Sequence, residues 1–518
     1  MSDAKTAALV IVNDIRRGLY LDSVALMRMS RTVAAMDRVA ECGMMMGTPA
    51  NLGIMTDAGV LADSGRNAAP GDLVIAISAQ DQAAADAALS AARVLLDAPK
   101  GGAGKTSTWA PRTIRAAVAA DPAANVALIS VPGAFAAAEA RKALQRGLNV
   151  MMFSDNVPVA DEVELKLLAR EHGLLMMGPD CGTAIINGTP LGFANVVPRG
   201  NIGIIGASGT GIQEVSCLIA NNGGGISHAI GTGGRDLKAE VGGVTTLMAI
   251  DLLDADPATE RIVIISKPPA AEVAEKILER VANSKKPFTI CFLGSEKLRG
   301  AATITQAHTL KSCAEKALGK AFPNTHIDTH TIQRYRRNKG HNIRGLFAGG
   351  TLCSEAQIVF QRKGITAISN VPVPGAVRYA GHSDGHVLLD LGADEYTQGR
   401  PHPMIEPAVR DAAFMEAMAD PAVGAILFDV VLGSGGHADP AGHVLKLVQA
   451  AREAQPTPNR PTPMLIASIT GTRDDAQGWH QKMEKLSTIA VVRPSNADAA
   501  ETAMMFMGLQ NSPALSDA

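Results

Sequence analysis

Between Asn201 and Asn221 the chain reads NIGIIGASGTGIQEVSCLIAN. A short apolar run, Ile202 to Ile205, stops at Gly206, crosses Ala207-Ser208-Gly209-Thr210-Gly211 and enters an amphipathic helix from Ile212 to about Asn221. Few architectures accept that order. A buried strand passing through glycines directly into a helix opens a βα unit, which needs a parallel sheet covered by helices on both faces. The turn also gathers free N–H groups, the positive end of the helix dipole and two hydroxyls around any anion lodged there, and a phosphate is the expected guest. Glycine-rich corners also occur with no ligand, so the turn by itself leaves both readings open.

The chain has 518 residues, enough for three or four domains, each with its own core. A net charge of -2 with 19% charged residues offers no footprint for nucleic acid or an anionic membrane surface. The cluster Arg334, Arg336, Arg337, Lys339 reads as part of a solvated linker. Six cysteines stand singly, without the close pairs of a zinc site, which fits a reducing compartment. Every apolar run is broken by Gly, Pro or charge before it reaches membrane-spanning length, so a cytoplasmic protein is expected.

The patterning divides the chain into six stretches. Residues 1–98 read as a small α+β unit with a ferredoxin-like arrangement, in which the loop Gly47-Thr48-Pro49-Ala50-Asn51 either faces a ligand or simply ends a buried strand. Residues 99–112 contain Lys100-Gly101-Gly102-Ala103-Gly104-Lys105-Thr106, which spells a phosphate loop, yet a helix leads in and Trp109-Ala110-Pro111 leads out. A nucleotide loop needs a strand before it and a helix after it, so this stretch reads as a glycine-rich linker and ATP is not expected on this chain alone. Strands and helices alternate over 113–198 and 199–325, a basic connector occupies 326–342, and a third α/β region fills 343–518. In that last region Asp439 before Pro440 reads as a helix N-cap. His382 and His386 in GHSDGH resemble a metal pair only superficially, and no metal site is expected.

The words GIIGASGTG, GTGGRD and DPATERIVIIS, in that order, resemble the C-terminal half of the succinyl-CoA synthetase α subunit, and VALISVPGAF, NVMMFSDNVP and LLMMGPDCGT resemble the late part of its CoA-binding domain. The early part of that domain is missing or replaced by residues 1–98, and Asp180 stands where the family's loop has Asn, so CoA is possible here without being established. NIRGLFAGGTL, LLDLGADE, DPAVGAILFDVVLGSGG and VVRPSNADAAETA resemble the C-terminal domain of the β subunit, without its ATP-grasp domain. With the N-terminal words DSVALM and MGTPAN, this arrangement resembles the FdrA family of acyl-CoA-synthetase-like proteins, one branch of which belongs to the oxamate carbamoyltransferase of allantoin breakdown.

The resemblance implies an α/β fold of Rossmann- and flavodoxin-like domains after a small α+β domain. It also implies a phosphate held between two helix starts, Ser208-Gly209-Thr210 and Gly435-Gly436-His437. The family's phosphohistidine has no counterpart, since Gly294-Ser295-Glu296-Lys297-Leu298-Arg299-Gly300-Ala301-Ala302 replaces GHAGA, Ser266-Lys267-Pro268-Pro269 replaces the facing carboxylate, and His308 reads as an ordinary helical His. Carbamoyl phosphate is itself an acyl phosphate, so such a cradle suits carbamoyl transfer to an oxamate-like carboxylate without nucleotide. His437 would polarise the carbonyl or carry a proton, or is a polar loop His. Arg400 with His402 would hold the acceptor's carboxylate, or Arg400 forms a surface ion pair. Glu395, Thr351 and Asp180 are the remaining substrate contacts expected. Two rivals stand beside this reading: an ADP-forming acyl-CoA ligase completed by a partner chain, and a regulatory subunit binding CoA or a phosphometabolite. Partner subunits are expected in each.

Overall fold

The computed structural model describes residues 9–19, 21, 23–97, 111–298, 304–323, 340–381, 384–397, 401–454 and 462–509. Arg400, His382, the Lys100–Thr106 stretch and the Arg334–Lys339 cluster lie outside them. The described residues form two compact units, one running to Asp97 and including 394–397, the other holding the rest from Pro111 onward.

In the first unit β1 (Val10–Arg16), α1 (Ser23–Ala34), β2 (Val39–Met46), α2 (Pro49–Asp57), β3 (Leu73–Ala79) and α3 (Gln82–Asp97) build an antiparallel sheet in the order β1-β3-β2. Its register runs from Val10 opposite Ala79 to Arg16 opposite Leu73. The order matches three strands of a ferredoxin-like sheet, and the described residues contain no fourth. Thr48 caps α2 by accepting from the N–H of Asn51, so the Gly47–Asn51 loop is a helix entry. The single helical turn Asp394–Thr397 also belongs to this unit.

The second unit opens with α4 (Ile114–Ala120), β4 (Val126–Ile129), α5 (Gly133–Leu144), β5 (Asn149–Met152), α6 (Val159–Glu171) and β6 (Met176–Met177), a three-stranded parallel sheet. The hairpin β7 (Thr183–Ile186) and β8 (Thr189–Gly192) joins the next sheet instead, with β7 antiparallel to β10. That sheet comprises β9 (Arg199–Gly206), α7 (Gly209–Asn221), β10 (Ile226–Gly231), α8 (Val244–Ala255), β11 (Arg261–Ser266), α9 (Ala271–Ala282), β12 (Phe288–Phe292), β13 (Ile304–Gln306) and α10 (Leu310–Leu318). Its order β13-β12-β11-β9-β10-β7-β8 is flavodoxin-like with the hairpin added at one edge.

The third sheet of this unit repeats the plan. It comprises β14 (Asn342–Phe347), α11 (Gly350–Arg362), β15 (Ile368–Ser369), β16 (Val377–Arg378), β17 (Val387–Asp390), α12 (Asp411–Ala419), β18 (Val423–Val431), α13 (Pro440–Glu453), β19 (Met464–Thr470), α14 (Trp479–Ser487), β20 (Val491–Arg493) and α15 (Asn496–Phe506). The order β17-β14-β18-β19-β20 is again doubly wound, with β15 and β16 outside β17. We refer to the second and third sheets with their helices as the first and second flavodoxin-like modules.

Two local expectations change, those for His308 and for the helix after Ser208, and His386 takes a place in the packing. His308 is not helical: Ile304–Gln306 is an edge strand, and Thr309 caps α10 one residue after His308. His386 lies beside Phe360, and its Nδ1 accepts from the N–H of Ile343 at 3.2 Å, so it belongs to the packing around β14. The helix after Ser208 is not amphipathic, because every residue from Gly211 to Ile219 is buried. The second module covers the face expected to meet water, and Ile212, Val215 and Ile219 share one core with Leu352 and Ala356 of α11.

Candidate functional site

The two flavodoxin-like modules meet at the starts of α7 and α11. Each helix follows the first strand of its sheet, at the point where strand order reverses and ligands of such sheets bind. In the first module Ala207 donates its N–H to Ile265, which fixes the turn between β9 and β11. Ser208 then turns extended (φ -142, ψ 123), and its hydroxyl accepts from the N–H of Gly211, so α7 begins at Gly209. In the second module the buried carboxylate of Asp429 accepts from the N–H groups of Ala348 and Gly349, each at 2.7 Å. Arg410 neutralises that carboxylate at 2.9 Å, so a buried ion pair holds the glycine turn before α11.

The hydroxyls of Ser208 and Thr351 are hydrogen-bonded across the two helix starts. The glycines permit the approach. A Cβ on Gly211 would lie 3.3 Å from the methyl of Thr351, and one on Gly349 would lie 3.1 Å from the methyl of Thr210. A narrow cleft, about 10 Å³ in volume, runs from the Ser208 turn past Asp180, Thr183, Gly231 and Gly233. Thr183 closes one wall, its Oγ1 2.9 Å from where a Cβ on Gly209 would sit. Asp180 is exposed, in the left-handed region (φ 55), on the cleft's rim. The hydroxyls of Ser208 and Thr183, the backbone of the α7 start at Gly209 and the carboxylate of Asp180 thus line a small polar cleft, the setting in which a helix start favours an anion.

The third wall is set by residues that sequence reasoning passed over. Lys166, fully buried on α6, donates to the carbonyl of Thr232 at 3.0 Å and to Asp236 at 2.6 Å. Asp236 also accepts from the N–H groups of Thr245 and Thr246, while Glu162 lies 3.0 Å from Lys166 and 2.9 Å from Arg235. The network pins the GTGGRD loop beside Ser208. Its one visible trace was a lysine next to Leu165 on the buried side of α6.

Of the residues expected to act together, Ser208, Gly209, Thr210, Thr351 and Asp180 come to this place. Gly435, Gly436 and His437 do not face Ser208. A Cβ on Gly435 would lie 2.8 Å from the ring of Phe193, whose carbonyl accepts from Thr183 at 3.4 Å, and Gly435 itself does not line the cleft. His437 donates its N–H to Met404, and its Nδ1 accepts from the N–H of Asp439 at 3.1 Å. Nor is the Gly435 turn a helix start. The helix begins at Pro440, where Asp439 caps it through Gly442 and is held by Lys482 at 2.8 Å and Lys485 at 2.7 Å. The chain's own carboxylate already occupies that N-terminus.

His402 lies behind the α11 start, its Nε2 2.5 Å from where a Cβ on Gly392 would sit. Burial, and then the charge of Arg410, push its pKa down to about 4, so at neutral pH it is uncharged and can offer a carboxylate no ion pair. Glu395 is exposed in the Asp394–Thr397 turn of the other unit. At the start of α5, a Cβ on Gly133 would lie 2.2 Å from the carbonyl of Asp155 and 2.6 Å from that of Asn156. Those carbonyls pack closely against the start of α5. No group of three or more His, Cys, Asp or Glu among the described residues could hold a metal ion, and no described helix is long and apolar enough to cross a membrane.

Two facing flavodoxin-like modules define a protein of the succinyl-CoA-synthetase-like class, and family profiles agree: "CoA binding domain" matches residues 198–294 and "CoA-ligase" residues 346–506. A third profile, "AllF, heavy metal-associated domain", matches residues 9–111. The chain is 41% identical over 499 residues to the uncharacterized protein YahF of Escherichia coli K12, covering 93% of this chain and 96% of that one, and it belongs to the same family. It is 32% identical over 180 residues to the succinate–CoA ligase [ADP-forming] α subunit of Aquifex aeolicus, covering 32% of this chain and 57% of that one. It is 31% identical over 235 residues to the malate–CoA ligase α subunit of Methylorubrum extorquens, covering 42% and 76%. The chain thus spans little more than half of the succinate–CoA ligase α subunits it matches.

Proposed function

We propose that the chain is an acyl-phosphate-handling transferase subunit of FdrA type that moves a carbamoyl group between carbamoyl phosphate and a small carboxylate such as oxamate. The observation that carries the reading is the meeting of two helix starts at Ser208 and Thr351, on a cleft rimmed by Asp180. The helix starts would hold the phosphate, and Asp180 would accept from the carbamoyl NH₂, a donor that an acetyl or succinyl group lacks. The oxamate nitrogen then bonds to the carbamoyl carbon as the C–O bond to phosphate breaks, and the proton that nitrogen loses passes to the departing phosphate, which leaves as hydrogen phosphate. Helix-start N–H groups aimed at that oxygen stabilise its growing charge.

The test is phosphate release from carbamoyl phosphate by the purified chain, alone and with candidate partner subunits. Oxamate-dependent release, lost in Asp180→Leu, supports the reading; no release under any combination sinks it. The second reading is an acyl-CoA ligase subunit completed by a partner chain. The CoA-binding and CoA-ligase matches favour it, and CoA would be held within 198–294. Phosphate turnover that needs CoA and ignores oxamate would put it first.

A further inference from the structure

Below the meeting helix starts, each helix carries one buried glutamate at the same depth, five residues in: Glu214 on α7, after Gly209, and Glu355 on α11, after Gly350. Each reaches out of its own module. Glu214 Oε1 accepts from the N–H of Asn496 at 3.0 Å, the first residue of α15 in the second module. Glu355 Oε1 accepts from the N–H groups of Leu310 at 2.6 Å and Lys311 at 3.4 Å, the first residues of α10 in the first module. The ties are reciprocal, and Asn496 joins them, donating Nδ2 to Glu355 Oε2 at 2.7 Å. Glu214 Oε2 accepts from the hydroxyl of Thr470 at 2.5 Å.

We infer that Glu214 and Glu355 are positioning residues that hold the starts of α7 and α11 against each other by capping helices of the opposite module. The inference rests on reading those starts as the phosphate site. Capping a helix start with a carboxylate satisfies its free N–H groups and its dipole, and here the same bond fixes the capping helix. The charged groups around the pair are otherwise spoken for: Asp429 is paired with Arg410, and Asp498 with Lys311 at 2.7 Å. Arg493 approaches Asp498, and the thiols Cys217, Cys291 and Cys313, with Lys316 and Asp475 acting on them, also lie near the pair.

Two buried carboxylates with no cation of their own cannot both ionise cheaply. Burial, and then Glu214, push Glu355 up to about 8, and burial raises Glu214 despite its bonds from Thr470 and Asn496. A proton retained by the pair has a place to go, because Asn496 Oδ1 is buried with no donor among the described residues. Since the folded value of Glu355 is raised, its contribution to stability is full below the ordinary carboxyl range, near 4.3, and is lost as pH climbs toward the folded value. The tie should therefore loosen progressively as pH climbs toward about 8.

The experiment compares full-length wild type, Glu214→Leu, Glu355→Leu, the non-titrating Glu355→Gln and, as control, Lys311→Met, which cuts a different tie between α10 and α15. Backbone hydrogen exchange is read at 209–212 and 350–353, with inorganic phosphate as the binding probe. Each leucine variant should speed exchange at both helix starts, including the one on the other module, by about tenfold or more, the scale of a buried N–H left without its acceptor, while Glu355→Gln, which keeps a neutral acceptor, should change it little at neutral pH. In the leucine variants phosphate should bind more weakly in step. Lys311→Met should lower the melting temperature without changing either readout. In wild type, exchange at these starts should rise beyond the intrinsic trend as pH climbs toward about 8 and follow the intrinsic trend above it, and Glu355→Gln should abolish that excess rise. Exchange that changes only on the substituted module, or equally in Lys311→Met, overturns the inference. Should wild type not bind phosphate at all, the phosphate reading fails while the exchange results still decide this one.

Discussion

The starts of α7 and α13 look alike as sequence, GASGTG in one and GSGGHADP in the other, and the folded chain treats them oppositely. At α7 the cap is an uncharged hydroxyl that satisfies one N–H, and the first glycines face a cleft. At α13 the helix starts four residues after Gly436, and its cap is a carboxylate locked by two lysines. A hydroxyl leaves the dipole's positive end for a guest; a carboxylate spends it within the chain. What decides is the charge of the cap and what faces it, and both are tertiary. The start of α11 lies between the two cases: its cap is Gly349, whose N–H is held by Asp429, and the carboxylate of Asp390 would lie 2.5 Å from a Cβ on Gly350.

The largest effect is expected where the α11 start is held. Asp429→Ala would strand Arg410 as a buried unpaired cation and release the N–H groups of Ala348 and Gly349, a loss of about 3–5 kcal/mol measured by denaturant unfolding. A loss under about 1 kcal/mol would mean that the pair is not what holds this turn.

Next come two glycine substitutions that should differ in kind. Gly209→Val places its side chain against Thr183 at the cleft and should weaken phosphate binding about tenfold or more, with the smaller change in melting temperature. Gly435→Val forces a β-branched residue to φ +77 against Phe193, so it should cost about 1–3 kcal/mol of stability and leave phosphate affinity alone. If both variants lose phosphate equally, the Gly435 turn belongs to the site after all.

Much of this was legible, and the boundary has physical reasons. The strand-to-helix turn at Ser208 and the Asp439 cap depend on spacing a few residues long, and both stand as read. The flavodoxin-like order follows from alternating buried strands and helices. The partner of Ser208 did not follow, because Thr351 is 143 positions away and its approach depends on the absent side chains of Gly211 and Gly349. Lys166, Glu214 and Glu355 were hidden for another reason. Charged residues in helices usually mark the solvent face, and these three are buried only because a neighbouring loop or module covers them.

A smaller effect separates the cap from the site. Ser208→Ala removes the N-cap bond to Gly211 and the contact with Thr351, costing about 1 kcal/mol of stability. Phosphate binding should weaken less than in Gly209→Val, because the backbone donors remain. Isothermal titration with phosphate on both variants checks the order, and a Ser208→Ala loss exceeding that of Gly209→Val would make the hydroxyl the main ligand.

The smallest effect belongs to the occupied helix start. Partial burial works to raise the Asp439 carboxyl, but Lys482, Lys485 and the N–H of Gly442 outweigh it and hold the pKa well below the usual range. A depressed value stabilises the fold above the ordinary carboxyl pKa, about 3.9, and that contribution is lost as pH falls through the folded value. Asp439→Asn keeps a capping oxygen and removes the charge. Because Asp439 is 41% exposed, solvent screens its ion pairs, and the loss at neutral pH should be only about 0.5–1 kcal/mol. The gap between the variant and wild type should close as pH drops below about 4, and raised salt should narrow it at neutral pH. Phosphate affinity should not move, since this N-terminus holds its own anion in the wild type. A phosphate site gained at α13 in Asp439→Asn would show that the carboxylate alone kept it shut; phosphate affinity lost there would place α13 back in the candidate site beside α7.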